Sequence, residues 1–134
     1  MSFEKKNNLG TISVSELIFA SLVMSGAAYA SGKVFLASES GKILGGISKK
    51  VSAAELASNM KIVEEENKFY LTFYVVLNFG DSISVISQEV LDFIEKEMRE
   101  LFPKNSYKIT FTLVGIRSKN IAERHMEIVR EYEP

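Results

Sequence analysis

The sequence predicts an α+β fold: a small antiparallel or mixed sheet packed by two main helices, with a further helix at the C-terminus. Three observations carry this. Residues 69–79 and 107–116 alternate side chains with the period of two that a strand requires. Residues 83–101 repeat apolar side chains at helical spacing. The whole reads β-α-(β)-β-β-α-β-α, in which neighbouring strands occur without an intervening helix, as in α+β rather than strictly wound α/β chains. A length of 134 residues is that of one ordinary domain, so a single unit over 1–134 is expected, with a core at 10–117 and a helical extension at 118–134.

The elements follow in order. Residues 1–9 are polar and read as a frayed lead, and Thr11 to Ser13 as a short strand. Ser13 and Glu16 have the S-x-x-E spacing of a capping box, in which the serine oxygen takes an orphan backbone N–H and the glutamate reaches back. A helix is therefore expected from Val14 to Ala30, with Gly32 as its stop. Its Ala, Ser and Gly content suits close backbone approach to a sheet. The stretch from Leu17 to Ala30 ends in Ala28-Tyr29-Ala30, which mimics a signal-peptide cleavage site. Lys5 and Lys6 stand far upstream and Glu16 interrupts the approach. At about fourteen residues the run is also short of the roughly 20 needed to span a bilayer. A buried helix is the expectation.

Lys33 to Ala37 reads as a short strand, Gly41 to Lys50 as a glycine and lysine loop, and Val51 to Asn59 as a region holding a short helix. Met60–Glu64 and Phe69–Phe79 form the clearest strand pair, joined by a turn at 65–68. Leu71, Phe73, Val75 and Leu77 share one face of the second strand, and Tyr70, Thr72, Tyr74 and Val76 the other. Both faces are apolar or aromatic, which suits a central strand. After Gly80, Ser82 or Ser84 caps a helix whose stripe is Ile83, Ile86, Val90, Phe93, Ile94, Met98 and Leu101. Its other face, Gln88, Glu89, Asp92, Glu95, Lys96, Arg99 and Glu100, reads as solvated. Pro103 ends it. Tyr107 to Ile116 is a second long strand. Residues 119–133 read as a last helix with Ile121, His125, Ile128 and Tyr132 in its stripe.

Composition removes several function classes. There is no cysteine, so disulfide scaffolds and thiolate metal sites are excluded. Lys+Arg is 16 and Asp+Glu 17, a net charge of -1 with pI near 5.9, which gives no global attraction to nucleic acid or acidic lipid. One histidine, His125, stands without a G-x-S-x-G elbow or any cysteine beside it, so the usual nucleophile–base pairs are missing and no catalytic residue, metal ligand or cofactor is assigned. Glu64, Glu65 and Glu66 run consecutively, but successive strand residues point to opposite faces and do not converge on a cation.

Two features retain a binding reading. Lys42, Lys49 and Lys50, with Gly41, Gly45 and Gly46, have the composition to wrap an anion with backbone N–H groups, although neither a Walker nor a dinucleotide fingerprint is present. A plain surface connection has the same composition, and both readings stay open here. Ile121, Met126, Ile128 and Tyr132 on the expected last helix form a candidate partner surface or a face docked on the chain's own core. Tyr70 and Tyr74 with Phe69 and Phe73 would suit base stacking on an RNA-binding sheet. The basic and glycine residues that accompany such aromatics are absent, which favours core packing.

Several stretches resemble the alkaline shock protein family of Gram-positive bacteria. Gly10-Thr11-Ile12-Ser13 opening a helix is similar to the family's G-x-I-x-I-S-P-E start, at shorter spacing and with Val14 in place of proline. Tyr74-Val75-Val76-Leu77-Asn78-Phe79-Gly80 resembles its Y-x-V-V-E-Y-G strand end, with Asn78 in the acidic position. Ile83 and Val90 fall in its I-P-x-V-A-x-x-V helix, and Val114-Gly115-Ile116 resembles its closing V-x-G-V strand. The resemblance spans residues 10–117 and is most specific over 69–116. It implies a non-enzymatic, cytoplasmic, envelope-stress protein without cofactor or membrane span. It further implies a homo-oligomer, recruited to the membrane by an anchored protein partner. The alternative is a nucleic-acid- or anion-binding module using the loop at 41–50.

Overall fold

The structure is a computed structural model that describes residues 4–7, 10–30, 33–45 and 51–134. It is α+β, and the described residues form a mixed sheet of five strands, a two-stranded ribbon and three helices. The chain opens with β1 (Glu4–Asn7) and β2 (Gly10–Ser13), an antiparallel ribbon, so part of the polar lead is paired rather than frayed. Ser13 then caps α1 (Val14–Tyr29): its Oγ accepts from the Glu16 N–H at 3.0 Å, and Glu16 Oε1 accepts from the Ser13 N–H at 3.4 Å. The capping box is formed as the spacing requires. Gly32 lies outside the described residues.

After β3 (Val34–Ala37), the chain folds back through Ile43, which bridges to Ala37. Ser52 caps the short α2 (Ala53–Ser58). The hairpin of β4 (Lys61–Glu65) and β5 (Lys68–Asn78) turns at Glu66 and Asn67, which sit at φ 46° and 68°. This is the doubly left-handed geometry whose twist matches the flanking strands. Asn105 Nδ2 donates to Asn67 Oδ1 at 2.8 Å, fastening this turn to the loop beyond α3 (Ile83–Leu101). Ser82, the nearer of the two serines, caps α3, accepting from the Val85 N–H. Then come β6 (Ser106–Arg117) and β7 (Ile121–Tyr132).

β5 is central, as its two apolar faces suggested. β3 and β4 pair with its two halves along one side, both antiparallel, and β6 pairs in parallel along the other. β5, α3 and β6 thus form a βαβ unit. β7 closes the far side of β6 as an antiparallel edge.

The helices share one face of the sheet. Phe69, Leu71, Phe73, Val75 and Leu77 of β5 and Tyr107, Ile109, Phe111 and Leu113 of β6 meet Phe19 and Val23 of α1, Leu56 of α2 and Ile86, Val90, Leu91, Ile94 and Met98 of α3. Phe19 of α1 meets Phe69 of β5 edge-on at 4.9 Å across the layers, and Phe73 meets its register partner Phe111 at 5.6 Å within the sheet. The apolar run of α1 is spent in this core. The other face carries a small cluster of Ala37, Tyr74, Val76 and Val114 under Phe35 and Ile43, and no helix among the described residues covers it. The close approach of α1 is made to α3 rather than to the sheet: at Gly26 an added Cβ would stand 3.3 Å from the Val90 carbonyl oxygen and from Ile94 Cγ1.

Candidate interaction surface

Residues 121–132 form a strand, not the helix expected at the C-terminus. The physical reason is tertiary. Ile121, His125, Ile128 and Tyr132 do fall at helical spacing, and Glu, Arg and Met are good helix formers. However, Met126, Ile128, Arg130 and Tyr132 also alternate with period two. Pairing along β6 from Tyr107↔Tyr132 to Arg117↔Ile121, with a register shift between Leu113 and Gly115, satisfies the second side of β6 and the inner side of β7. Long-range pairing overrides local propensity here. Gly115 makes room for the start of β7, since a Cβ there would lie 2.7 Å from Ile121 Cγ2.

This correction splits the candidate partner surface. Ile128 and Tyr132 pack on the chain's own core. Ile121 and Met126 stay accessible, at 44% and 37%, and Val129 joins them at 43%. β7 pairs with β6 alone among the described residues, so its outer N–H and C=O row lies open.

The half of α3 read as solvated grips β7. Arg130 Nη1 donates to Asp92 Oδ1 at 2.8 Å and to Glu95 Oε1 at 3.2 Å, and its Nη2 donates to Gln88 Oε1. Partial burial lowers the basicity of Arg130, but the bond to Asp92 and the charge of Glu95 outweigh it and hold its pKa above the ordinary value. Beside it, the Arg99 guanidinium lies 4.2 Å over the Tyr132 ring, and its Nε donates to Tyr107 Oη at 3.3 Å. The rings of Tyr107 and Tyr132 stack at 5.1 Å. Nothing in sequence spacing joins Arg130 to residues some forty positions earlier, so this clamp was missed.

Tyr107 is fully buried, and burial pushes its phenol from 10.0 up to about 12, against the Arg99 hydrogen bond that pulls it down. A pKa raised on folding contributes stability that is complete below the unfolded value and lost as pH rises through the folded one. Stability is therefore expected to decline between about pH 10 and 12. Denaturant unfolding of wild type and Tyr107→Phe across that window checks this: the variant should show the shallower decline.

The other candidates do not converge. Lys42 is exposed, and Lys49 and Lys50 lie outside the described residues. His125 is an exposed strand residue, not a helical one, 3.5 Å from Glu127. Glu64 and Glu16 line a depression of about 180 Å³ with Ser13, Ser15, Phe19, Ile62 and Phe69, but the Glu16 carboxylate is already engaged in the capping box. Among the described residues no His, Asp or Glu group is placed to hold a metal ion, and no helix is long and apolar enough to cross a membrane.

Among the described residues these features define an α+β protein with a one-sided helical layer and an unpaired sheet edge. A family model, that of alkaline shock protein 23 with its cell envelope-related function, matches residues 4–118, and the chain belongs to that family. No curated protein and no solved structure matches the chain. The match begins ahead of the resemblance seen at residue 10 and ends just before β7.

Proposed function

We propose that this chain is a non-catalytic assembly protein of the cell envelope, one that self-associates and is held at the membrane by a protein partner. The family's cell envelope-related function supplies the setting. The observation that carries the assembly half is β7: a long strand with an open edge and three accessible apolar side chains. Edge strands are templates for further pairing, and proteins that remain monomeric blunt them with lysine, proline or bulges. β7 contains neither lysine nor proline, and its regular part from Met126 to Tyr132 is long; its charged side chains and the register shift against β6 at Arg124 and His125 confine any further pairing to registers that accommodate them. The non-catalytic half is supported by His125, which is exposed on a strand with Glu127 as its neighbour and no nucleophile beside it, and by the lack of cysteine in the sequence.

Sedimentation velocity over a hundredfold concentration range is expected to show a reversible shift from monomer to dimer or larger. Fractionation of native cells is expected to place the chain with membranes only while a protein partner is present. A strict monomer at high concentration rules out the assembly role.

A further inference from the structure

Resting on the self-association reading, we infer that the partner of the β7 edge is a second copy of β7, paired antiparallel about a two-fold axis centred on Met126. The geometry and the charges of the strand select this register.

Antiparallel pairing of two identical edges places the two-fold normal to the sheet. That operation keeps each residue on its own face, so opposed positions share parity and one residue must meet itself. Like charges directly opposite each other destabilise a pair, and this sorts the registers. Centring on Glu123, Arg124, Glu127 or Arg130 sets that charge against its own copy. Centring on His125 opposes Glu123 to Glu127, and centring on Val129 opposes Glu127 to Glu131. Centring on Ile128 shortens the overlap and brings Glu123 against Glu133 at its end. Centring on Met126 opposes no like charges from Ile121 through Glu131, and the register shift that β7 makes against β6 at Arg124 and His125 falls beside the axis, where it bends the strand without changing which charges are opposed.

In that register His125 faces Glu127 twice, once on each side of the axis, and the accessible Met126 side chains meet at the centre. Arg130, already tied to α3, faces Ala122, a residue small enough to leave its clamp undisturbed. Arg124 faces Ile128, and Glu123 faces Val129. The two five-stranded sheets become one continuous sheet with both helical layers on the same side. β7 lies beyond the part of the chain that the family model matches, so this edge is a property of the chain itself.

The chain has no cysteine, which makes a crosslinking test clean. Met126→Cys places the two sulfurs on opposed residues, within disulfide reach of about 4–7 Å between Cα atoms. Val129→Cys places its copies six positions apart along the strand, about 20 Å, beyond reach. Under mild oxidation Met126→Cys is expected to form a covalent dimer at least tenfold faster than Val129→Cys, each checked as folded by circular dichroism. Met126→Lys, which opposes two ammonium groups at the axis, is expected to weaken the dimer at least tenfold by sedimentation. A wild type that self-associates while Met126→Cys crosslinks no faster than Val129→Cys overturns the β7 register and leaves the assembly reading standing. A wild type that stays monomeric overturns both.

Discussion

Gly26→Leu is expected to destabilise the fold by about 2–3 kcal/mol, at the upper end for overpacking. Gly26 is where α1 meets α3, and the first atom added there stands 3.3 Å from the main-chain carbonyl oxygen of Val90. A side chain can rotate away, but that oxygen belongs to a helix fixed by Ile86, Leu91, Ile94 and Met98 in the core. A leucine must therefore push the two helices apart and strip contact from Val23 and Val90. Its better helix propensity returns only about 0.8–1 kcal/mol. Gly26→Ala separates the two effects: one carbon needs a shift of a few tenths of an ångström, and the propensity gain is about the same. Alanine is expected to be neutral within about 1 kcal/mol. Urea unfolding midpoints of the three proteins at constant m-value check the ordering. A leucine variant as stable as alanine would show that α1 and α3 are not close-packed at this point.

The parts of the fold that sequence revealed are those in which one local signal dominates. The capping box at Ser13, the alternation of Phe69 to Asn78 and the long stripe of α3 each state their own conformation, and each forms. Even there the stripe was incomplete: Leu91 is fully buried, whereas Leu101 is half exposed and Phe93 lies against Tyr29 at 5.6 Å. β1 and β7 were misread because neither carries an apolar alternation that excludes other readings. Glu4–Asn7 is polar and is a strand only because β2 lies beside it. Ile121–Tyr132 mixes charges with apolar residues in a pattern that two periods fit, and only β6 decides between them. The candidate surface inherited that error. Met126 and Ile121 were chosen as residues of a helix face and remain exposed as residues of a strand, whereas Ile128 and Tyr132 turned inward. The clamp on Arg130 was invisible because, although Gln88, Asp92 and Glu95 share one face of α3, only the pairing of β7 with β6 brings Arg130 to that face, and no local spacing encodes it.

That clamp gives the second large effect. Arg130→Met is expected to cost about 2–3 kcal/mol, more than an exposed ion pair would. The difference lies in burial. Asp92 is 67% exposed and on its own would be worth a few tenths of a kcal/mol, whereas Glu95 and Arg130 are only 18% and 21% exposed. Removing the guanidinium leaves the largely enclosed Glu95 with Arg99, at 3.6 Å, and the Tyr107 hydroxyl to offset its charge, whereas the exposed Gln88 oxygen turns to water at little cost. Methionine keeps most of the aliphatic stem, so lost packing contributes little. Two further measurements identify the source of the loss. In a double-mutant cycle, Glu95→Gln is expected to recover at least about 1 kcal/mol in the Arg130→Met background, because the uncompensated charge is gone. Asp92→Asn in the wild type is expected to cost under about 0.5 kcal/mol. Amide exchange should then quicken along β7 ahead of β6, since the strand would be held to the sheet by one ladder and no longer to α3. If Arg130→Met costs less than about 0.5 kcal/mol and β7 exchange is unchanged, pairing with β6 alone anchors the edge and α3 has no part in presenting it.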